Sequence, residues 1–182
     1  MTTDAPGSGA GPGALRLTRW TVSSGSNVQS RAAVIVEASG HVWQASATGN
    51  GAIDALLEAV DAALAPILGG VARITSYDVH ALAEGPDAEG VVTVVVRPPD
   101  SAAGERSSGD YAASVRSTNI IAASIEAYIE AIGAMLADVA WHGAVATAGA
   151  KATQARGSGP ARGARAELDK DAPTDTTSWF DR

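Results

Sequence analysis

The feature that most constrains the fold is a group of three strand-like segments closed by one helix-like segment, which occurs twice. In the first occurrence, apolar alternation predicts strands over residues 15–22, 31–37 and 41–48. Ala38-Ser39-Gly40 predicts a tight hairpin between the last two, because Gly readily adopts a positive φ. A helix follows, with apolar residues at spacings of three and four. Its stripe is Ile53, Leu56, Leu57, Val60, Leu64 and Leu68.

The second occurrence repeats this order. Strands are predicted over residues 71–83, with a bend, 90–97 and 110–116, and a helix over 118–139. The apolar stripe of that helix is Ile121, Ile125, Tyr128, Ile129, Ile132 and Leu136. Runs of strands closed by a helix predict an α+β fold. We expect two βββα units with pseudo-two-fold symmetry, in which helices cover one face of one or more antiparallel sheets.

The expected folded body spans residues 15–141. Residues 1–14 consist largely of Gly, Ala, Pro, Thr and Ser and predict a flexible leader. Residues 142–182 show no sustained apolar period and predict a disordered tail. Trp179 and Phe180 near the end of that tail are either incidental or a docking peptide.

Composition narrows the function classes. A net charge of −7 argues against nucleic-acid binding, which requires clustered Lys and Arg. The chain has no Cys, which excludes disulfides and thiolate metal sites. No signal peptide and no run of about 18 apolar residues is evident, so we expect no membrane association and a cytoplasmic location.

No catalytic constellation is recognisable. His41, His80 and His142 are scattered, and no known metal-binding or nucleophile motif contains them. Glu84 and Asp87 could form an acid–base pair only if the fold brought them together. We therefore predict no catalytic residue, metal or cofactor, although an enzyme with unfamiliar chemistry remains an alternative.

Two strand-to-helix junctions are the candidate binding elements. The first is Thr48-Gly49-Asn50-Gly51-Ala52-Ile53-Asp54, and the second is Ser117-Thr118-Asn119-Ile120-Ile121. Glycines allow a close backbone approach, and the free N–H groups at a helix start favour a carboxylate. Two helix starts related by pseudo-symmetry could frame one pocket, or they could be two ordinary capped turns.

The residues of these junctions resemble a known family. Gly49-Asn50-Gly51-Ala52-Ile53-Asp54-Ala55-Leu56 is similar to the G-N-G-P-x-D-A-L signature of the C-terminal regulatory domain of 2-isopropylmalate and citramalate synthases. Ser76-Tyr77-Asp78-Val79-His80-Ala81, with Gly85-Pro86-Asp87-Ala88-Glu89-Gly90, resembles the family's D-Y-x-V-x-A and G-x-D-A-x-G stretch. Ser117 to Tyr128 resembles its S-T-D-I-I-E-A-S-x-x-A-Y helix opening.

The resemblance implies a non-catalytic domain that binds a branched-chain amino acid, leucine above all, at or near the interface of a homodimer. It implies a ligand site formed by Gly49, Gly51, Ile53, Asp54, Tyr77, Ala81, Ala88, Asn119 and Ile120. The family's catalytic barrel is absent from this sequence. The resemblance therefore implies action on a separate catalytic synthase subunit.

Some residues depart from the family pattern. Asn119 stands where the family usually has Asp, Ala113 and Val115 where it often has G-x-G, and Ala52 where it has Pro. These departures leave open a second hypothesis, a scaffold or dimerisation protein that kept the fold but lost ligand binding.

Overall fold

The computed structural model describes residues 14–85 and 88–157. The first unit comprises β1 (Arg16–Gly25), β2 (Val28–Ala38), β3 (His41–Gly49) and α1 (Ala52–Leu68). The second comprises β4 (Arg73–Ala81), β5 (Gly90–Arg97), β6 (Tyr111–Ser117) and α2 (Ile120–Ala137). Each unit forms its own antiparallel sheet, in the orders β1-β2-β3 and β4-β5-β6. The predicted α+β fold of two βββα units is confirmed.

The core lies between each sheet and its helix. Helix α1 packs on β2 and β3, and α2 packs on β5 and β6. The inward residues of the two central strands are at most 4% exposed; they are Ala32, Val34, Val36, Val92, Val94 and Val96. Burying one Val side chain fully stabilises a fold by about 1.5–3 kcal/mol. The small, β-branched side chains of β2 and β5 thus provide much of the stability of both units.

Each sheet has two edge strands, and the first strand of each sheet, β1 or β4, is built like the other. Each has a bulge near its start, between Leu17 and Arg19 in β1 and between Ile74 and Ser76 in β4. After the bulge, Trp20 lies opposite a buried Val of β2, and Tyr77 lies opposite a buried Val of β5. The edge residues on the helix side of the sheets are Leu17, Trp20 and Val22 in β1, and Ile74, Tyr77 and Val79 in β4. The two units therefore match residue by residue along their edges.

Residues with positive φ set the local turns of the first unit. Ser39 and Gly40 have φ of 50° and 74°, which is the geometry of the tight hairpin predicted between β2 and β3. Helix α1 continues through Pro66 and ends at Gly69, whose N–H donates to the carbonyl oxygen of Ala65. Gly69 has φ of 71°, the left-handed conformation that commonly terminates a helix.

The expectation of a disordered tail from residue 142 is wrong for its first part. Residues Ala144–Gly157 form a third helix, α3, which packs on α1. Ala144 and Ala148 are buried in this contact, and Trp141 just before it is 2% exposed. The contact uses Ala side chains, which give no strong apolar period, and this is why the helix was not predicted. Residues 158–182, including Trp179 and Phe180, lie outside the described residues, as do residues 1–13 of the predicted leader.

Helix α2 is long and apolar enough, by length and composition alone, to cross a membrane, although Glu126 and Glu130 interrupt its apolar run. Half of that stretch is buried inside the structure, where it covers β5 and β6. A core helix of this kind owes its high apolar content to its packing.

Candidate functional site

The first junction is a tight turn held by an acidic side chain. Gly51 precedes α1 in an extended conformation, and its carbonyl oxygen accepts from the N–H of Ala55 at 3.0 Å. The carboxylate of Asp54 turns back and accepts from the N–H of Asn50 at 2.8 Å. Asp54 is exposed, and an acidic residue in the first turn is favoured by the helix dipole. The helix start therefore already holds a negative charge beside the loop.

Gly49 is required by this arrangement. A Cβ atom at Gly49 would lie 2.5 Å from the backbone nitrogen of Ala55 and 2.7 Å from a carboxylate oxygen of Asp54. Gly51 differs, because a Cβ there would meet nothing within 4 Å. The first glycine of the motif thus permits the close approach of loop and helix, and the second leaves open space at the helix start.

The second junction is capped by an amide. Asn119 accepts at Oδ1 from the N–H of Ala122 at 3.1 Å, and its own N–H donates to Ser117 Oγ at 3.0 Å. The side chain of Ile120 lies over Gly90, where an added Cβ would be 2.5 Å from its Cδ1 atom. Gly90 in turn pairs with Ala81 across the β4–β5 ladder. Ile120 and Ala81 are therefore brought to the same end of the second sheet.

Tyr77 is attached to α2 through a hydroxyl chain. Its hydroxyl lies 2.7 Å from Ser124 Oγ, and Ser124 Oγ donates to the carbonyl oxygen of Ile120 at 2.6 Å. Since Ser124 has one proton to donate, this assigns Tyr77 as the donor to Ser124. Ser124 is 1% exposed, whereas Tyr77 is 40% exposed. A buried serine thus fixes the orientation of an accessible aromatic ring beside the second helix start.

The nine predicted site residues fall into two clusters. Gly49, Gly51, Ile53 and Asp54 share the first junction. The other five lie at the second junction: Tyr77, Ala81, Ala88, Asn119 and Ile120. Ala88 belongs to the β4–β5 turn, where its N–H donates to the carbonyl oxygen of Gly85. Within residues 14–85 and 88–157, no hydrogen bond or ion pair links one junction to the other. Sequence reasoning left out Ser124 and Gly90, although both stand inside the motifs that pointed to the site.

Two of the departures from the family pattern, Ala113 and Val115, lie on the covered face of the second sheet. Ala113 and Val115 pair with Val94 and Val92, and they are half-buried against the core beneath α2. Their side chains therefore fill the interior. Asn119 is exposed and serves as the cap of α2.

Of the candidate catalytic groups, the structure describes the three histidines and Glu84. His80 pairs with Asp78 on exposed β4, at 3.0 Å between Nε2 and Oδ2. No group of three or more His, Asp or Glu side chains in the described part of the chain could hold a metal ion. Glu84 is exposed in the turn after β4, and Asp87 lies outside the described residues.

The edge strand β4 is open to solvent on both faces. On its helix side the exposed fractions are 40% for Ile74, 40% for Tyr77 and 41% for Val79. Leu82, just beyond the strand, is 47% exposed. Ile74, Tyr77 and Val79 form the β4 apolar face, and Tyr77 belongs also to the second cluster.

Comparison with known proteins gives a consistent result. A family model described as the LeuA allosteric (dimerisation) domain matches residues 7–136. A 2-isopropylmalate synthase from Salinibacter ruber is 33% identical over 129 residues, which are 70% of this chain and 21% of that protein. Another from Methylobacterium nodulans is 33% identical over 123 residues, covering 68% of this chain and 21% of that protein. The chain thus spans about a fifth of the length of these relatives.

Proposed function

Because the chain belongs to the family of LeuA allosteric (dimerisation) domains, we propose that it is a non-catalytic regulatory domain that binds a branched-chain amino acid as a homodimer. We propose leucine as the preferred ligand and the cytoplasm as the location. The observation that carries the proposal is the β4 apolar face with Tyr77 held beside the second helix start by Ser124. A contiguous exposed apolar patch of this kind is typical of an interaction site.

The chemistry of the two clusters matches the two parts of a branched-chain amino acid. The first junction presents the Asp54 carboxylate, which suits the ligand ammonium, together with the open space at Gly51. The second presents Tyr77, Ile120 and small residues, which suit a branched apolar side chain. Since no hydrogen bond or ion pair joins the clusters within the described part of one chain, we propose that each site combines the first junction of one copy with the second junction of its partner.

A second copy is the occupant we assign to the β4 apolar face. The equivalent face of β1 is covered within the chain, where β1 contacts both α1 and α2. The backbone of β4 has substantial contact only with β5. The matching family is described as a dimerisation domain, which supports another copy of the chain as the missing cover.

The relatives point to what such a dimer would regulate. They are named 2-isopropylmalate synthase and are about five times as long as the matched segment. We propose that this domain acts on a separate synthase subunit, through an amino acid that binds one conformation of the assembly more tightly than the other.

Calorimetric titration of the full chain with leucine, isoleucine, valine and alanine tests the ligand. We expect leucine to bind about thirtyfold more tightly than alanine, because burying its larger side chain contributes about 2 kcal/mol. Ser124→Ala should weaken leucine binding while the chain stays folded, because Tyr77 loses its hydrogen-bond acceptor. No heat and no thermal stabilisation with any of the four would rule out the amino-acid site.

Light scattering of two matched variants tests the dimer surface. Val79→Arg places a charge on the β4 apolar face and should give a monomer. Val42→Arg is the control, since Val42 is 47% exposed on β3 of the other sheet and should leave the dimer intact. Dimers in both variants would place the interface elsewhere. The departure at Asn119 favours the scaffold hypothesis, and a wild-type dimer that ignores all four amino acids would support it.

A further inference from the structure

The two units meet at a hydrogen-bonded joint in the middle of their helices. The Tyr128 hydroxyl of α2 lies 2.5 Å from Asp61 Oδ1 of α1 and 3.4 Å from the carbonyl oxygen of Ala72. Ala72 belongs to the segment that leads from α1 into β4. Tyr128 is fully buried and Asp61 is half-buried. This joint therefore connects α1, α2 and the beginning of the exposed edge strand.

The Tyr128 hydroxyl has one proton to donate but two acceptor oxygens within reach. A Tyr hydroxyl donates one hydrogen bond, and two acceptor oxygens surround it. While Asp61 is ionised, the charge-assisted bond to its carboxylate is the stronger of the two, and the Ala72 carbonyl receives only the long contact. Once Asp61 takes a proton from solvent, its own O–H can donate to the Tyr128 oxygen, and the Tyr128 proton is then free to point at Ala72.

We propose that this joint is a proton-operated switch, in which protonation of Asp61 turns the Tyr128 hydroxyl from the Asp61 carboxylate to the Ala72 carbonyl. The switch goes beyond the proposed ligand binding and does not depend on it. It tightens the attachment of the β4 entry segment to α2 in the protonated state and loosens it in the ionised state.

The surroundings of Asp61 bring this change into an accessible pH range. Burial raises the pKa of Asp61 to about 6, the hydrogen bond from Tyr128 opposes that rise, and the negative charge of Glu58 on the same helix adds to it. Burial and the charge of Asp61 raise the pKa of Tyr128, so the phenol keeps its proton throughout. Arg73, the cation next to Ala72 in the chain, pairs with Asp100.

Carbon-13 NMR of the full-length protein tests the proposal. Between about pH 8 and about pH 4, the Asp61 carboxyl should titrate with a midpoint of about 6, and the Ala72 carbonyl signal should shift with the same midpoint. In Asp61→Asn, whose amide can donate to Tyr128, the Ala72 signal should stay at its low-pH position at every pH. In Tyr128→Phe, Asp61 should still titrate while the Ala72 signal stays constant.

Glu58→Gln is a milder variant for the case in which the others fail to fold. Removing the Glu58 charge should lower both midpoints together, because that charge raises the pKa of Asp61. An Ala72 signal that stays constant while Asp61 titrates in the wild type would overturn the proposal. A shift in Tyr128→Phe equal to that of the wild type would overturn it as well.

Discussion

The edge strands β1 and β4 have the same register and the same early bulge, yet they meet different surroundings. Trp20 and Val22 of β1 are half-buried, because both helices lie near that strand. Tyr77 and Val79 of β4 are about two-fifths exposed, although the Tyr77 hydroxyl is hydrogen-bonded to Ser124 of α2. The two βββα units of one chain thus differ in the exposure of their edge strands. The apolar side chains of β1 are half-buried, and those of β4 are exposed.

This difference separates folding from association. A side chain on the covered edge contributes to the stability of the single chain. An equivalent side chain on the open edge contributes mainly when something else covers it. Substitutions at matched positions of β1 and β4 can therefore distinguish the two roles.

The largest expected difference lies between Trp20→Ala and Tyr77→Ala. Trp20→Ala should lower the free energy of unfolding by about 3 kcal/mol, because it removes a large side chain packed beneath two helices. Tyr77→Ala should cost about 1 kcal/mol, mainly the lost hydrogen bond to Ser124. Urea unfolding at a protein concentration at which the chain is monomeric measures both values. Equal costs would show that β4 is covered within the monomer.

The two glycines of the first junction form the next pair. Gly49→Ala should cost about 2–3 kcal/mol, since its Cβ would collide with the backbone of α1, which cannot move aside as a flexible side chain could. Gly51→Ala is the control and should cost less, about 0.5–1 kcal/mol, which is the difference between Gly and Ala as a helix N-cap. Thermal unfolding of both variants checks this, and a tolerated Ala at position 49 would contradict the tight turn.

Helix α3 covers α1 of the first unit, and substitutions there should have a smaller effect. Ala148→Arg should destabilise the protein by about 1–2 kcal/mol, because the position is 4% exposed against α1. Ala150→Arg, on the exposed side of the same helix, should change stability very little. Equal effects in chemical denaturation would mean that α3 is not docked in solution.

The smallest effect belongs to an ion pair of the second unit. Hydrogen bonding to Arg97 lowers the pKa of Asp110, and both side chains are exposed. The pair therefore contributes at neutral pH, and its contribution is lost as the pH falls through the lowered pKa of Asp110. Asp110→Asn should slightly flatten the acid side of a melting-temperature profile, most visibly at low salt. An unchanged profile at low salt would show that the pair contributes nothing.

The pKa of Asp61 is shifted in the opposite direction to that of Asp110, so its contribution to stability has the opposite pH dependence. Its pKa in the folded state, about 6, lies above the ordinary value of 3.8. Its contribution to stability is therefore fully present below about pH 4 and lost as the pH rises through about 6. Comparing melting profiles of the wild type and Asp61→Asn isolates this contribution from that of other carboxylates.

The sequence predicted the positions of the strands and helices better than it predicted which of their faces are covered. The strand over residues 90–97 was predicted with the bounds that β5 has, because a Val-rich run ended by two prolines admits little else. Helix α3 escaped prediction because its buried residues are Ala and Gly, which mark no apolar stripe. The patterns of β1 and β4 are alike, so only the three-dimensional packing reveals which edge is covered.

The site was predictable where it depends on neighbours in the chain. The close approach at Gly49 follows from a glycine placed immediately before a helix start. The bond between Tyr77 and Ser124 joins residues 47 positions apart, and no local pattern indicates it. The same holds for Asp61 and Tyr128, which are 67 positions apart.

The bulges near the starts of β1 and β4 bear on how the protein behaves at high concentration. A straight edge strand offers a continuous row of free N–H and C=O groups that can template the growth of fibrils. A bulge interrupts that row and increases the local twist, so a neighbouring strand cannot align along its whole length. The edges formed by β1 and β4 thus carry a built-in obstacle to fibril growth.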